Sequence, residues 1–168
     1  RARSVQGAAM ILVCGATGEL GWRVARRLVD REPVRALVRP ATDATQVQAA
    51  GIDVVRGDLR EPASLAPALA GVETVVTTAN AISRILSGAT DVTIAGVDGA
   101  GNQNLIRAAQ EAGVGRFVML SVAGLGAELA GMAPLTGAKW AAEKALAATG
   151  MQRVIVRPDM FQEVWLAP

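Results

Sequence analysis

The segment GATGELG, Gly15 to Gly21, is the densest chemical signal in the chain, because it follows a run of apolar strand residues and opens an amphipathic helix. A helix N-terminus presents unpaired N–H groups and the positive end of the backbone dipole, and glycines let a pyrophosphate approach the backbone. The spacing is G-x-x-G-x-x-G, in which Gly15 makes the turn, Gly18 admits the phosphates and Gly21 lets the helix lie close to the sheet. Glycines also make ordinary tight turns, so the loop takes its meaning from the residues it is combined with. A second strand should bring a residue to the adenosine ribose about 20 positions onward. That residue is Arg39. An acidic residue there would accept from the ribose hydroxyls, whereas a guanidinium suits a 2′-phosphate. A charge-assisted contact of roughly 1.5–3 kcal/mol gives about a ten- to hundredfold preference for NADP over NAD. A solvated loop cation is the competing reading of Arg39. Asp58, in GDL at the end of the third strand, either borders the adenine or is an ordinary turn residue.

Missing residue types exclude other chemistries. The chain of 168 residues has no His, no Tyr and one Cys. Without His there is no Ser-His or Cys-His nucleophile and no histidine base or metal ligand, and one Cys leaves neither a disulfide nor a thiolate cluster. No metal site is expected. The pI of about 9.3 exaggerates the charge, because almost nothing titrates between the carboxylates and the thiol. Without Arg1 and Arg3 the chain holds 15 basic against 15 acidic groups. Nucleic-acid binding by bulk charge is therefore not expected.

Three further side chains invite a role. Arg occurs fifteen times and Lys only at Lys139 and Lys144, so a Lys can mark a place that needs a compact ammonium. The plainer reading pairs Lys139 with Glu143 one helical turn on, worth about 0.2–0.5 kcal/mol. Lys144 reads as surface. Ser121, at a strand end, either orients a carbonyl or satisfies local backbone. Cys14 precedes the glycine loop on a buried strand and reads as core. The three Trp are scattered and make no base-stacking platform.

The elements that must position these groups alternate. Short β-branched runs near 10–14, 34–38, 53–56, 72–78, 116–121 and 152–157 read as strands, and the segments between them carry a helical period. The first helix places Leu20, Val24 and Leu28 at i+4 steps beside Gly21 and Ala25, with Arg23, Arg26, Arg27, Asp30 and Arg31 outward. Segments 63–70, 98–112 and 136–148 read likewise, and Gly113 and Gly150 read as helix stops. The expected fold is α/β: a doubly wound parallel sheet of about six strands with helices on both faces. Residues 1–9, a polar leader without the apolar stretch of a signal peptide, read as a tag remnant or extension and are expected to be disordered. No apolar run is long enough to span a bilayer, and a soluble, cytoplasmic protein is the default expectation.

The run MILVCGATGELGWRV, then ALVR, GDLRE, VDGAGNQNLIRAAQEAGVGRFVMLS, AKWAAEKAL and VRPDMFQE, resembles the NmrA-like branch of the atypical short-chain dehydrogenase/reductases. The resemblance spans Met10 to about Glu163, and the ordered set is much more specific than any one motif. It implies a Rossmann fold and a bound NADP(H), with NAD(H) as the lesser alternative. By position it implies that Gly15, Thr17, Gly18, Glu19, Leu20 and Gly21 form the phosphate loop and that Arg39 meets the 2′-phosphate. Asp58 and Leu59 fall beside the adenine, and Thr78, Ala79 and Asn80 at the end of the fourth strand. Ser121 and Lys139 fall near the nicotinamide, and Pro158 near the carboxamide.

The sequence departs from the wider superfamily at two places. Reductases of simple carbonyls carry Tyr four residues before the active-site lysine, and that position is Leu135; Asp98 stands where many members have Asn. A ketone becomes an alkoxide and needs a good acid, whereas a quinone becomes a much less basic phenolate. General acid help is worth about 10²–10⁴-fold, so without Tyr or His the better acceptors are quinones, flavins or activated enones. The expected function is an NADPH-dependent oxidoreductase with Lys139 anchoring the ribose, Ser121 or Asn80 holding the acceptor oxygen, and water supplying the proton. The alternative is a non-catalytic NADP(H)-binding sensor, regulator or assembly factor with a protein partner. In this family substrate selection depends largely on segments after the sixth strand. The chain stops ten residues past Pro158, and the expectation is a domain over 10–168 whose C-terminal substrate segment is missing or truncated.

Overall fold

Each short apolar run becomes a strand. The computed structural model describes residues 9–159, and its strands are β1 (Met10–Cys14), β2 (Val34–Val38), β3 (Asp53–Arg56), β4 (Val72–Thr77), β5 (Arg116–Leu120) and β6 (Gln152–Val156). All pair in parallel, in the order β3-β2-β1-β4-β5-β6. β1 lies inside the sheet with Val13 opposite Ala36 of β2 on one side and Val76 of β4 on the other. Such a strand is covered on both faces, which is why MILVC is continuously apolar rather than alternating. The chain runs outward from β1 to β3, then crosses back to β4. That reversal opens a crevice at the carboxyl ends of β1 and β4.

Helices cover both faces. On one, α1 (Glu19–Leu28) and α2 (Thr45–Ala49) close a core of Val13, Ala25, Val34, Ala36, Val38, Val47 and Ile52. On the other, α3 (Ala66–Leu69), α5 (Asn102–Glu111) and α7 (Pro134–Ala147) close a larger one around Leu12, Leu69, Val75, Leu105, Phe117, Met119 and Leu146. The remaining helices are α4 (Ile82–Leu86) and α6 (Ala127–Ala130).

Several expectations need correction. The buried pole of α1 is Gly21 and Ala25, with Leu20, Val24 and Leu28 only half-buried on its flanks, because the helix lies too close to the sheet to seat a larger side chain beneath it. A Cβ on Gly21 would stand 2.0 Å from the Gly15 carbonyl oxygen. Segment 63–70 divides into a 3₁₀ turn, Pro62–Ser64, and α3. Segment 98–112 starts earlier, as a π-wound stretch over Ala95–Gly101 that feeds α5. α7 starts at Pro134, and proline at a first helical position is already shaped for it. Gly113 takes the positive φ of a helix stop, but α7 ends at Ala147 and Gly150 has no such geometry. Residues 1–8 of the leader and 160–163 of VRPDMFQE lie outside the described residues. Among the described residues no helix is long and apolar enough to cross a membrane.

Candidate dinucleotide site

The glycine loop turns directly out of β1. Gly15 has φ +94, and a Cβ there would meet the Thr78 hydroxyl at 2.6 Å, so only glycine fits against the end of β4. Gly18 N–H donates back to the Gly15 carbonyl at 3.0 Å and so closes the turn. Gly18 then caps α1 with extended backbone and no side-chain hydrogen bond. The first-turn N–H groups of α1 are therefore left without a side-chain acceptor, which is the condition for holding an anion. A Cβ on Gly18 would touch only the Gly15 carbonyl, at 3.4 Å. The space above it is open. These observations fit a pyrophosphate seated on the loop.

A cleft of about 570 Å³ spreads from this loop across the carboxyl ends of the strands. Gly15, Thr17, Gly18, Glu19, Leu20 and Gly21 line it at the glycine loop, Arg39, Asp58 and Leu59 at the end beside β2 and β3, and Thr78, Ala79 and Asn80 along β4. Every position assigned to these three parts by resemblance thus lines one cavity. Ser121, Lys139 and Pro158 do not reach its surface, although Leu120 does. The lining also includes residues that sequence reasoning did not single out, among them Arg60, Arg84, Val92 and Val97.

Charge is concentrated at the end beside β2 and β3. Asp58 accepts the Arg60 guanidinium as a fork, with Nη2 at 2.7 Å from Oδ2 and Nε at 3.1 Å from Oδ1, and this fork holds its carboxyl below the ordinary range. Arg60 Nη1 also donates to the Asp91 carbonyl at 2.8 Å. Arg56 donates to the carbonyls of Arg39 and Thr42 and ties down the loop after β2. The Arg39 side chain has no hydrogen bond or ion pair among the described residues. Burial, then Arg84, push its pKa down, against the pull of Asp58 and Asp91. Glu19 stands at the positive end of α1 but is engaged by Arg23 at 2.6 Å. Cys14 is core as expected, and burial pushes its thiol up to about 12.

Behind the cleft the two buried ions of α7 part company. Lys139 Nζ lies 3.1 Å from Asp98 Oδ1 of the π-wound stretch, and both side chains are almost wholly buried. The approach lacks the alignment of a full hydrogen bond at Oδ1, while Asp98 Oδ2 accepts the Ala81 N–H at 2.9 Å. The i+4 pairing of Lys139 with Glu143, the plainer reading of the sequence, does not form. Glu143 instead takes Arg157, whose Nε donates to Oε1 at 3.0 Å. Helical spacing put the two residues on one face, but that face is buried, and each finds its partner on another element. Ser121 Oγ, next to Glu143, is buried without a hydrogen-bond partner of good geometry, so the local-backbone reading does not hold.

For Glu143, burial raises the pKa, but Arg157 and the Ser121 hydroxyl outweigh it and hold the group below the 4.5 of an ordinary glutamate. A group depressed in the folded state contributes stability that is present above its unfolded pKa and lost as pH falls through its folded value. Glu143→Gln should therefore cost about 1–2 kcal/mol at neutral pH. The gap to the parent should close as pH drops below 4.5. Urea melts of both proteins across that range check it, and a constant gap would contradict the assignment.

A doubly wound parallel sheet with an uncapped glycine-loop helix at its switch point defines a dinucleotide-binding protein. The family model described as NAD(P)H-binding matches residues 15–164, and the chain belongs to that family, in its NmrA-like, atypical short-chain dehydrogenase/reductase branch. It is 36% identical over 155 residues to the photosystem II assembly factor Ycf39 of Synechocystis, covering 91% of this chain and 45% of that protein. It is 35% identical over 157 residues to the NAD(P)H azoreductase of Xenophilus azovorans, covering 92% and 49%. Among solved structures it is similar to an NADPH-dependent quinone oxidoreductase of Escherichia coli complexed with NADPH, at TM-score 0.71 and 30% identity over 94% of this chain and 52% of that one. The triphenylmethane reductase of Citrobacter in complex with NADP(H) matches at TM-score 0.71 and 25% identity, covering 93% and 51%. The chain spans about half the length of the curated relatives it matches.

Proposed function

We propose that the protein is the cofactor-binding part of an NADPH-dependent oxidoreductase that passes hydride to a quinone, a flavin, an azo or triphenylmethane dye, or another activated acceptor. The observation that carries this reading is the cleft itself, in which the uncapped α1, the clearance above Gly18 and the unpaired Arg39 guanidinium converge. Bound there, NADPH supplies the hydride. The chain's part is to bind, orient and exclude water. The α1 amides hold the pyrophosphate, Arg39 meets the 2′-phosphate, and Leu59, Val92 and Val97 offer apolar surface for the adenine.

At the reacting end, Asn80 lines the cleft, and Ser121 holds a buried hydroxyl beside Glu143 just past Leu120. Asn80 is the polar side chain that the cleft offers to an acceptor oxygen, and Ser121 stands behind it against Glu143. Lys139 lies behind this end against Asp98, which also fixes the Ala81 amide and with it the wall after Asn80. Pro158 lies outside the cleft lining, its carbonyl accepting the Ala123 N–H of the loop after β5 at 2.9 Å. Leu135, in the first turn of α7, offers no proton, so water supplies it. Under this reading the setting is the cytoplasm and the partner a small molecule.

NADPH oxidation followed at 340 nm with a quinone or azo dye, against an aliphatic ketone, tests the proposal. We expect turnover with the first and at least about 10²-fold less with the ketone, the factor that general acid help is worth. Brisk ketone reduction would overturn the mechanism. The similarity to Ycf39 favours one other reading, a nucleotide-binding assembly or regulatory factor with a protein partner. Tight NADPH binding without turnover on any acceptor would select it.

A further inference from the structure

We infer that Arg84 is the second guanidinium of the 2′-phosphate site, closing with Arg39 on a phosphate monoester carried by the adenosine ribose; the inference rests on the NADPH reading above. Arg84 comes from α4, an element too short to show a period in the sequence, and it lines the same cleft as Arg39. Its Nη2 is engaged by the exposed Asp91 Oδ1 at 2.8 Å. Its Nη1 is buried and has no hydrogen-bond partner. A buried cationic donor left unmade is costly, and native structures keep such groups for a reason.

The position follows from Arg60. By donating to the Asp91 carbonyl while forking the Asp58 carboxylate, Arg60 draws the segment after α4 over to the carboxyl end of β3. That is the side of the cleft where Arg39 ends β2. Two guanidiniums at one end of a cleft repel, and the effect of Arg84 on Arg39 records that repulsion. A ribose hydroxyl cannot relieve it. A phosphate monoester can, because it brings about −1.5 to −2 charges and three acceptor oxygens, enough for both cations.

Adenosine 2′,5′-bisphosphate and 5′-AMP differ only in the 2′-phosphate, so the ratio of their affinities, measured calorimetrically on the whole chain, isolates this site. Arg84→Met should lower the ratio by about tenfold or more, as should Arg39→Met. Asp91→Asn should raise it, since it frees Nη2 and removes an opposing charge. A misfolded protein cannot produce that gain. If the ratio collapses in Arg39→Met but holds in Arg84→Met, or if Asp91→Asn leaves it unchanged or lower, the role of Arg84 is overturned and the NADPH reading stands. A ratio near one in the parent protein would overturn the NADPH reading itself.

Discussion

Gly18→Val abolishes dinucleotide binding and leaves the fold standing. Gly18 sits in ordinary extended backbone, at φ −90 and ψ 160, which a β-branched residue adopts without strain. Its Cβ would meet only one protein atom, the Gly15 carbonyl oxygen at 3.4 Å. Valine is a poorer helix N-cap than glycine, and the stability loss should be about 1 kcal/mol. Binding loses much more. The new side chain fills the space through which a pyrophosphate reaches the first-turn amides. Losing two hydrogen bonds to a charged acceptor, at about 1.5–3 kcal/mol each, lowers affinity by about 10²–10⁴-fold. Calorimetry with NADPH together with a urea melt separates the two effects. Unaltered binding would refute the role of the loop.

The second large effect concerns Lys139. Lys139→Met keeps most of the apolar stem and removes the ammonium, so Asp98 is left as a buried carboxylate whose charge only the Ala81 amide offsets. Breaking a buried pair from one side typically costs about 3–5 kcal/mol. We expect a loss of that size in urea unfolding, and recovery of most of it when Asp98→Asn is added, because the amide needs no counter-charge and still accepts from Ala81. A loss of a few tenths, as for a surface pair, would show that the two ions do not depend on each other. The double variant also gives the fair measurement of what the ammonium does for cofactor binding, since the single one confounds it with stability.

The six strands and the glycine loop were legible because each depends on local pattern. MILVC is apolar throughout and VRALV and VETVVT are rich in β-branched or apolar residues over a strand's length, and Gly15, Gly18 and Gly21 owe their identities to neighbours within six residues or to the adjacent end of β4. The short helices α2, α4 and α6 were not legible, since four or five residues make barely one turn and display no period. Arg84 went unnoticed for that reason, and because one more arginine among fifteen carries little information. The partners of Lys139 and Glu143 were illegible on different grounds. The i+4 rule describes an exposed face, whereas these ions are buried and paired across elements, with Asp98 from the π-wound stretch and Arg157 from beyond β6. Nothing in sequence spacing encodes that choice.

The two core clusters differ in how much chain must be gathered to build them. All the buried members of the smaller one, from Val13 to Ile52, come from one continuous stretch, while the larger draws on residues from Leu12 to Met151. Loop-closure entropy grows with the logarithm of the enclosed length, so drawing together the ends of about 140 residues costs about 1 kcal/mol more than doing so for about 40. The glycine loop, α1 and Arg39 all belong to the shorter stretch. In kinetic terms the segment that carries the glycine loop has the lower contact order, since β1 pairs locally with β2, Leu12 opposite Arg35, whereas the far side of the sheet waits on the much less local pairing of β1 with β4, Leu12 opposite Val75.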